Sequence, residues 1–178
     1  MDTMTASQVS EFDLTQIIDG VEVMTASPFG IHQKILGYMY RKMAHHVESR
    51  GLGEVFVSPL DVILEEGYNK VQPDIIFIKK DNMRIFQDFI RGIPDLVVEI
   101  VSQGSFTLDT VKKKELYERY GVFEYWIVIP ELRSIDVFVL EGAKYKLFSF
   151  AEIEGKVNSS IIEGFEVDLR EIFMKQRL

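Results

Sequence analysis

The chain has 178 residues, 47% of them hydrophobic and 27% charged, with a net charge of −8; this is the balance of one globular domain spanning 1–178 around one sizeable core. It has no cysteine, which excludes disulfides and thiolate metal sites. No apolar run reaches the length of a membrane span, and the first Lys or Arg is Lys34, too late for the basic region of a secretory signal. The expected location is the cytoplasm, away from membranes.

Residues 1–11 are polar and expected to fray. Asp19-Gly20 separates two short apolar runs and predicts a hairpin turn. Ser27-Pro28 opens a predicted helix. Ile31, Ile35, Leu36, Met39, Met43 and Val47 carry its helical spacing to about Glu48, and Gly51 ends it. Strands are expected over 54–57 and 60–64, divided by Ser58-Pro59, and over 71–78, followed by a turn at Asp81-Asn82. Leu96 to Val101 is short and rich in Val and Ile, as suits a strand covered on both faces. A second helix is predicted over 107–120, with Thr107 as its cap and Gly121 just past its end. A strand at 125–129, a hairpin of 135–140 and 144–150 around Glu141-Gly142, and a short helix at 169–174 complete the chain. The natural packing for this order is a mixed sheet flanked by helices.

Two carboxylates interrupt apolar strands: Asp74 in Gln72-Pro73-Asp74-Ile75-Ile76-Phe77, and Glu99 in Asp95-Leu96-Val97-Val98-Glu99-Ile100-Val101. Burying an ionised carboxylate is costly unless a cation or a hydrogen-bond donor meets it. Alternation sends Asp95, Val97, Glu99 and Val101 to one face. On neighbouring strands Asp74 and Glu99 would converge on one divalent cation, and an all-oxygen site favours Mg²⁺ or Mn²⁺. A paired core carboxylate and a turn residue after proline give the same pattern, so spacing alone leaves both readings open.

The second helix adds Lys112, Lys113 and Lys114. At about 100° per residue, Asp109, Leu116, Tyr117 and Tyr120 fall within roughly 60° of Lys113, while its two neighbours diverge by about 100° to either side. Lys112 and Lys114 fit a solvated charge run. Lys113 lies on the inward face, where it must snorkel out or meet an acid. His32 lies early in the first helix and could approach the site, although a partly buried helix residue reads the same way. His45 and His46 are adjacent and point apart, a poor metal pair. HExxH, P-loop, GxGxxG and nucleophile-elbow patterns are absent. Tyr117, Tyr120, Phe123, Tyr125 and Trp126 are read as core packing rather than base-stacking platforms.

These residues carry a resemblance. The string Gly92-Ile-Pro-Asp-Leu-Val-Val-Glu-Ile-Val-Ser102 resembles a signature of the Uma-type family of putative restriction endonucleases. Asp109, Lys113 and Tyr117 at intervals of four, followed by Gly121-Val122-Phe123-Glu124-Tyr125-Trp126, are similar to its second signature, and Gln72-Pro73-Asp74 and His32-Gln33 match as well. The likeness runs from about Ile18 to Phe173 and is specific in combination; Phe123 stands where the family often has proline.

The resemblance implies the PD-(D/E)xK nuclease superfamily and its αβββαβ core, here with a C-terminal hairpin. Asp74 would be the aspartate of the PD element and Glu99 the acid of the second element. The usual lysine position, two residues on, is Val101; the resemblance implies that the lysine has moved to the following helix, as Lys113. Asp95 matches a family residue and would be a further ligand or an outer group.

The expected activity is Mg²⁺- or Mn²⁺-dependent hydrolysis of DNA, with Asp74 and Glu99, and the Ile100 carbonyl as a further ligand, on the metal. Two alternatives stand beside it: a catalytically silent binding module on the same scaffold, and a nuclease active only within a larger assembly. The acidic total speaks against nucleic acid as a partner. Between residues 70 and 120, however, nine basic residues face eight acidic ones, so that segment carries +1 and the remainder −9. Cutting both strands is easiest for a symmetric homodimer.

Overall fold

A computed structural model describes residues 15–24, 29–102 and 104–173. The expected fraying of 1–11 and the opening at Ser27-Pro28 lie outside the described residues. A six-stranded mixed sheet is the frame. Its members, in sheet order, are β11 (Lys144–Glu152), β10 (Ser134–Glu141), β9 (Glu124–Ile129), β8 (Leu96–Ile100), β6 (Ile75–Lys79) and β3 (Gly53–Val57). Only β8 and β9 run parallel, as a crossover through the second helix requires. With helix α1 (Gly30–Arg50) and helix α2 (Lys114–Tyr120), the strands β3, β6, β8 and β9 make the expected αβββαβ core, and β10–β11 form the hairpin extension.

Both faces of the sheet are covered. Leu96, Val98 and Ile100 point into a core with α1, whose Ile35, Leu36, Met39, Met43 and Val47 recur at helical spacing. Helix α3 (Leu169–Phe173) and the pair β12 (Lys156–Asn158) and β13 (Glu166–Asp168) close the same side. Val97 and Val101 point into a second core with Leu116 and Tyr117 of α2 and with Ile18, Val62, Val71 and Ile90. Those last four come from a smaller five-stranded sheet: β1 (Gln16–Ile18), β2 (Val21–Val23), β4 (Val62–Glu65), β5 (Asn69–Val71) and β7 (Ile90–Arg91). Every residue of β8 is buried, the condition its unbroken apolar run encodes.

Gly51 takes the left-handed C-cap conformation and ends α1, and Gly121 does the same for α2. Gly53 is needed for another reason: a Cβ there would lie 2.0 Å from the Ile78 carbonyl oxygen. No described helix is long and apolar enough to cross a membrane.

Three expectations need correction. The single strand over 71–78 is two strands in different sheets, because Pro73 has no N–H for a ladder and the chain changes sheets at Gln72-Pro73-Asp74. The turn at Asp81-Asn82 is a 3₁₀ segment, Lys80–Ile85. The second helix is not α-helical throughout: Leu108–Lys113 forms a π-helical turn that runs directly into α2, and Thr107 makes no capping hydrogen bond.

Candidate active site

The ladder between β6 and β8 ends at the pair Ile75↔Val98. One step further along this antiparallel register, Asp74 faces Glu99. The chain turns away here toward β5, so the Ile100 amide loses its main-chain partner. The Asp74 carboxylate replaces it, accepting the Ile100 N–H at Oδ2 over 2.7 Å. The same oxygen meets His32 Nε2 of α1 at 3.1 Å. This contact requires the N–H on Nε2 when Asp74 is ionised, which leaves Nδ1 as a buried acceptor with no partner among the described residues. A water would satisfy it.

Glu99 is 2% exposed. Its Oε1 accepts from Lys113 Nζ at 2.9 Å and from the Tyr117 hydroxyl at 2.8 Å. Lys113 Nζ also lies 3.4 Å from Asp109 Oδ1, and both residues are 3% exposed. Asp109 and Lys113, four residues apart in the π turn, share one inward face, and α2 continues that line to Tyr117. The Tyr125 hydroxyl of β9 donates to the Asp109 carbonyl and pins the turn to the sheet. Ser105 precedes the turn: its carbonyl accepts the Asp109 N–H and its hydroxyl bonds the Asp109 carboxyl.

The cluster sets three carboxylates against one lysine. Burial, reinforced by Asp109 and Asp74 and opposed by Lys113, pushes Glu99 up to about 8. Burial likewise raises Asp109, against the pull of Lys113 and Ser105. Burial alone would depress Lys113, but Glu99 and Asp109 outweigh it and hold the ammonium above the usual lysine range. Burial raises Tyr117 well above its ordinary value, so its hydroxyl remains a donor to Glu99. These are the conditions under which an added cation is welcome.

The donor set fits such a cation. Among the described residues, hydrogen bonds hold Asp74 by Oδ2 and Glu99 by Oε1, each through one oxygen. No group of three or more His, Asp or Glu side chains forms a ready-made ligand cage among the described residues. Two carboxylates, with the remaining positions left to water and substrate oxygens, suit Mg²⁺, which keeps much of its hydration shell.

The structure therefore brings Asp74, Glu99, Lys113 and His32 together, and adds Asp109 and Tyr117. It does not bring Asp95 to them. Four residues before Glu99 on an extended strand, Asp95 lies toward the other end of β8, where its Oδ2 accepts the Lys79 N–H and the Asn82 amide. Asp109 and Tyr117 entered the sequence reading only as motif or packing residues. The signal for both was their place one turn from an inward lysine, since a buried tyrosine hydroxyl needs a partner. Phe123 is 41% exposed rather than packed in the core, and Lys79 Nζ lies 5.9 Å from its ring.

A crystal structure of a putative nuclease of the DUF820 group from Anabaena variabilis is similar to this chain. Its TM-score is 0.74 at 17% identity, over 90% of this chain and 89% of that one, a likeness of fold. Among curated proteins no sequence matches. The sequence profile of the Uma2 family, described as putative restriction endonuclease, matches residues 11–170. With the profile matched across nearly the whole sequence and the fold shared with that nuclease, the chain belongs to the Uma2 family of putative restriction endonucleases.

Proposed function

We propose that the chain is an endodeoxyribonuclease that hydrolyses phosphodiester bonds at the Asp74–Glu99–Lys113 cluster with Mg²⁺ or Mn²⁺. Family membership indicates a nuclease. The observation that supports the finer reading is the buried contact of Glu99 with Lys113 from the following helix, on a strand whose neighbour is preceded by Asp74. Asp74 and Glu99 would hold the cation. When bound, it supplies Lewis acidity to the phosphate and a nucleophilic water at neutral pH.

The chain's own residues do the rest. The Ile100 amide and His32 fix the Asp74 carboxylate, and Tyr117 and Lys113 fix Glu99. Orientation set before substrate arrives costs nothing during the reaction. Lys113 keeps its charge through neutral pH and offsets negative charge building on the phosphate. Asp109 keeps Lys113 from collapsing wholly onto Glu99 by sharing its ammonium. The test is incubation of supercoiled DNA, linear DNA and RNA with the purified chain, with and without Mn²⁺. Cleavage of DNA only with metal supports the reading; metal binding without turnover on any of the three indicates the silent scaffold.

A further inference from the structure

Beside the acidic cluster lies a recess of about 220 Å³, with Val23, Met24, Ser102, Ser105, Thr107 and Lys112 among the residues of its wall. We propose that this recess is the seat of a second backbone phosphate of the DNA strand, neighbouring the one that is cut, with Lys112 as its cation. The inference rests on the nuclease reading and adds where the substrate lies.

The chemistry of the wall is that of a sugar-phosphate unit. The Thr107 hydroxyl and the ammonium of Lys112 offer donors to an oxyanion, the Ser102 and Ser105 hydroxyls being bonded to each other and to Asp109, while Val23 and Met24 offer an apolar wall to the carbons of a deoxyribose. The wall of the recess touches the cluster through one residue. Ser105 hydrogen-bonds Asp109, which touches Lys113. Ser102 follows Glu99 by three residues, a backbone reach of no more than about 10 Å.

The three consecutive lysines are used differently. Lys113 is buried against Glu99. Lys114 lies over the Phe138 ring at 3.4 Å and feels Asp136, on the side of the helix turned toward β10. Lys112 is exposed, faces the recess and forms no ion pair among the described residues. In a chain of net charge −8, an exposed cation without a carboxylate partner, next in sequence to the lysine of the cluster, is a place for an external anion. As adjacent helical residues, Lys112 and Lys113 point in different directions, one toward the recess and one into the cluster.

The experiment is fluorescence anisotropy of a labelled duplex oligonucleotide with the full chain in EDTA, as a function of salt. Single-turnover cleavage in Mn²⁺ is measured alongside. Lys112→Ala should lower the slope of log affinity against log salt by about 1, the mark of one lost phosphate contact. It should weaken binding several-fold and raise by a similar factor the enzyme concentration needed for half-maximal single-turnover cleavage. Lys112→Arg should restore the slope, and Lys114→Ala should match the unmodified chain. If the unmodified chain binds and cleaves DNA while Lys112→Ala keeps its slope, the recess proposal falls and the nuclease reading stands. If the unmodified chain neither binds nor cleaves DNA, the nuclease reading falls and takes this one with it.

Discussion

Lys112, Lys113 and Lys114 share charge and neighbourhood, so composition cannot rank them, but helical direction does. Only Lys113 reaches Glu99 and Asp109. Its replacement by alanine should cut metal-dependent cleavage by on the order of 10²–10³, the usual cost of removing an electrostatic stabiliser from a reacting centre. Lys112→Ala acts on affinity, and Lys114→Ala does little. Single-turnover rates of the three variants at saturating Mn²⁺ make the comparison; equal, small effects in all three would reduce the run to a solvated face. Glu99 gives a second prediction. In the metal-free folded chain burial holds it up to about 8, against an ordinary value of 4.5. The folded state therefore keeps a proton that the unfolded chain releases. That contribution is fully present below the unfolded value and is lost as pH rises through the folded one. In EDTA, the melting temperature should fall between about pH 5 and pH 8, and Glu99→Gln should flatten the decline. Parallel curves for the two proteins would contradict this.

Among the elements, those with a strong period or firm punctuation were legible in sequence. Helix α1 carries seven buried residues at helical spacing and stops at a left-handed glycine. Strand β8 is an unbroken apolar run, and it is buried throughout. The β10–β11 hairpin turns at Glu141-Gly142. The smaller sheet was only partly legible, because β5 and β7 are two or three residues long and pairing with distant partners, not local preference, makes them strands. The π turn was hidden for a related reason: a contact that holds it, the Tyr125 hydroxyl on the Asp109 carbonyl, comes from another element. The candidate site was legible where an acid stands in an apolar run, within strand β8 at Glu99 and just before β6 at Asp74. Asp95 was read as a further ligand or outer group from its match to a family residue; it shares the face of Glu99, but a face does not give a position along the strand, and its carboxylate bonds the Lys79 N–H and Asn82 instead.

Glu124 on β9 shows the limit of that signal. It too is a buried acid in an apolar strand, fully enclosed, yet its work is architectural. Its carboxylate accepts from Trp126 Nε1, from the Ser159 and Ser160 hydroxyls and from the Ser160 amide. It thereby ties the segment between β12 and β13 to the main sheet. Glu124→Ala would strand these donors in the core and should cost about 3 kcal/mol or more of stability, seen as a lower denaturant midpoint. A folded variant of unchanged stability would overturn this assignment.

For the molecule as a whole, the difficulty for the proposed function is that an acidic protein would act on a polyanion. Much of its basic charge is spent internally: Lys42 pairs with Glu171, Arg91 with Glu66, Arg119 with Asp19, Lys144 with Glu118 and Lys156 with Glu166. On the proposed function, long-range steering toward DNA would therefore be weak, and binding would depend on local contacts and on a cation neutralising the cluster. Asp74, Glu99 and Asp109 gather around Lys113, and the neighbouring Lys112 forms no ion pair among the described residues and lines the recess. The measurement that tests this most directly is cleavage of supercoiled plasmid and linear duplex in Mn²⁺ by the unmodified chain, Asp74→Ala and Glu99→Ala, with melting temperatures taken on the same samples. The account predicts metal-dependent nicking or linearisation by the unmodified chain, absent in EDTA and lost in both variants while they remain folded. Undiminished cleavage by either folded variant, or none by the unmodified chain at any Mn²⁺ concentration, would contradict it.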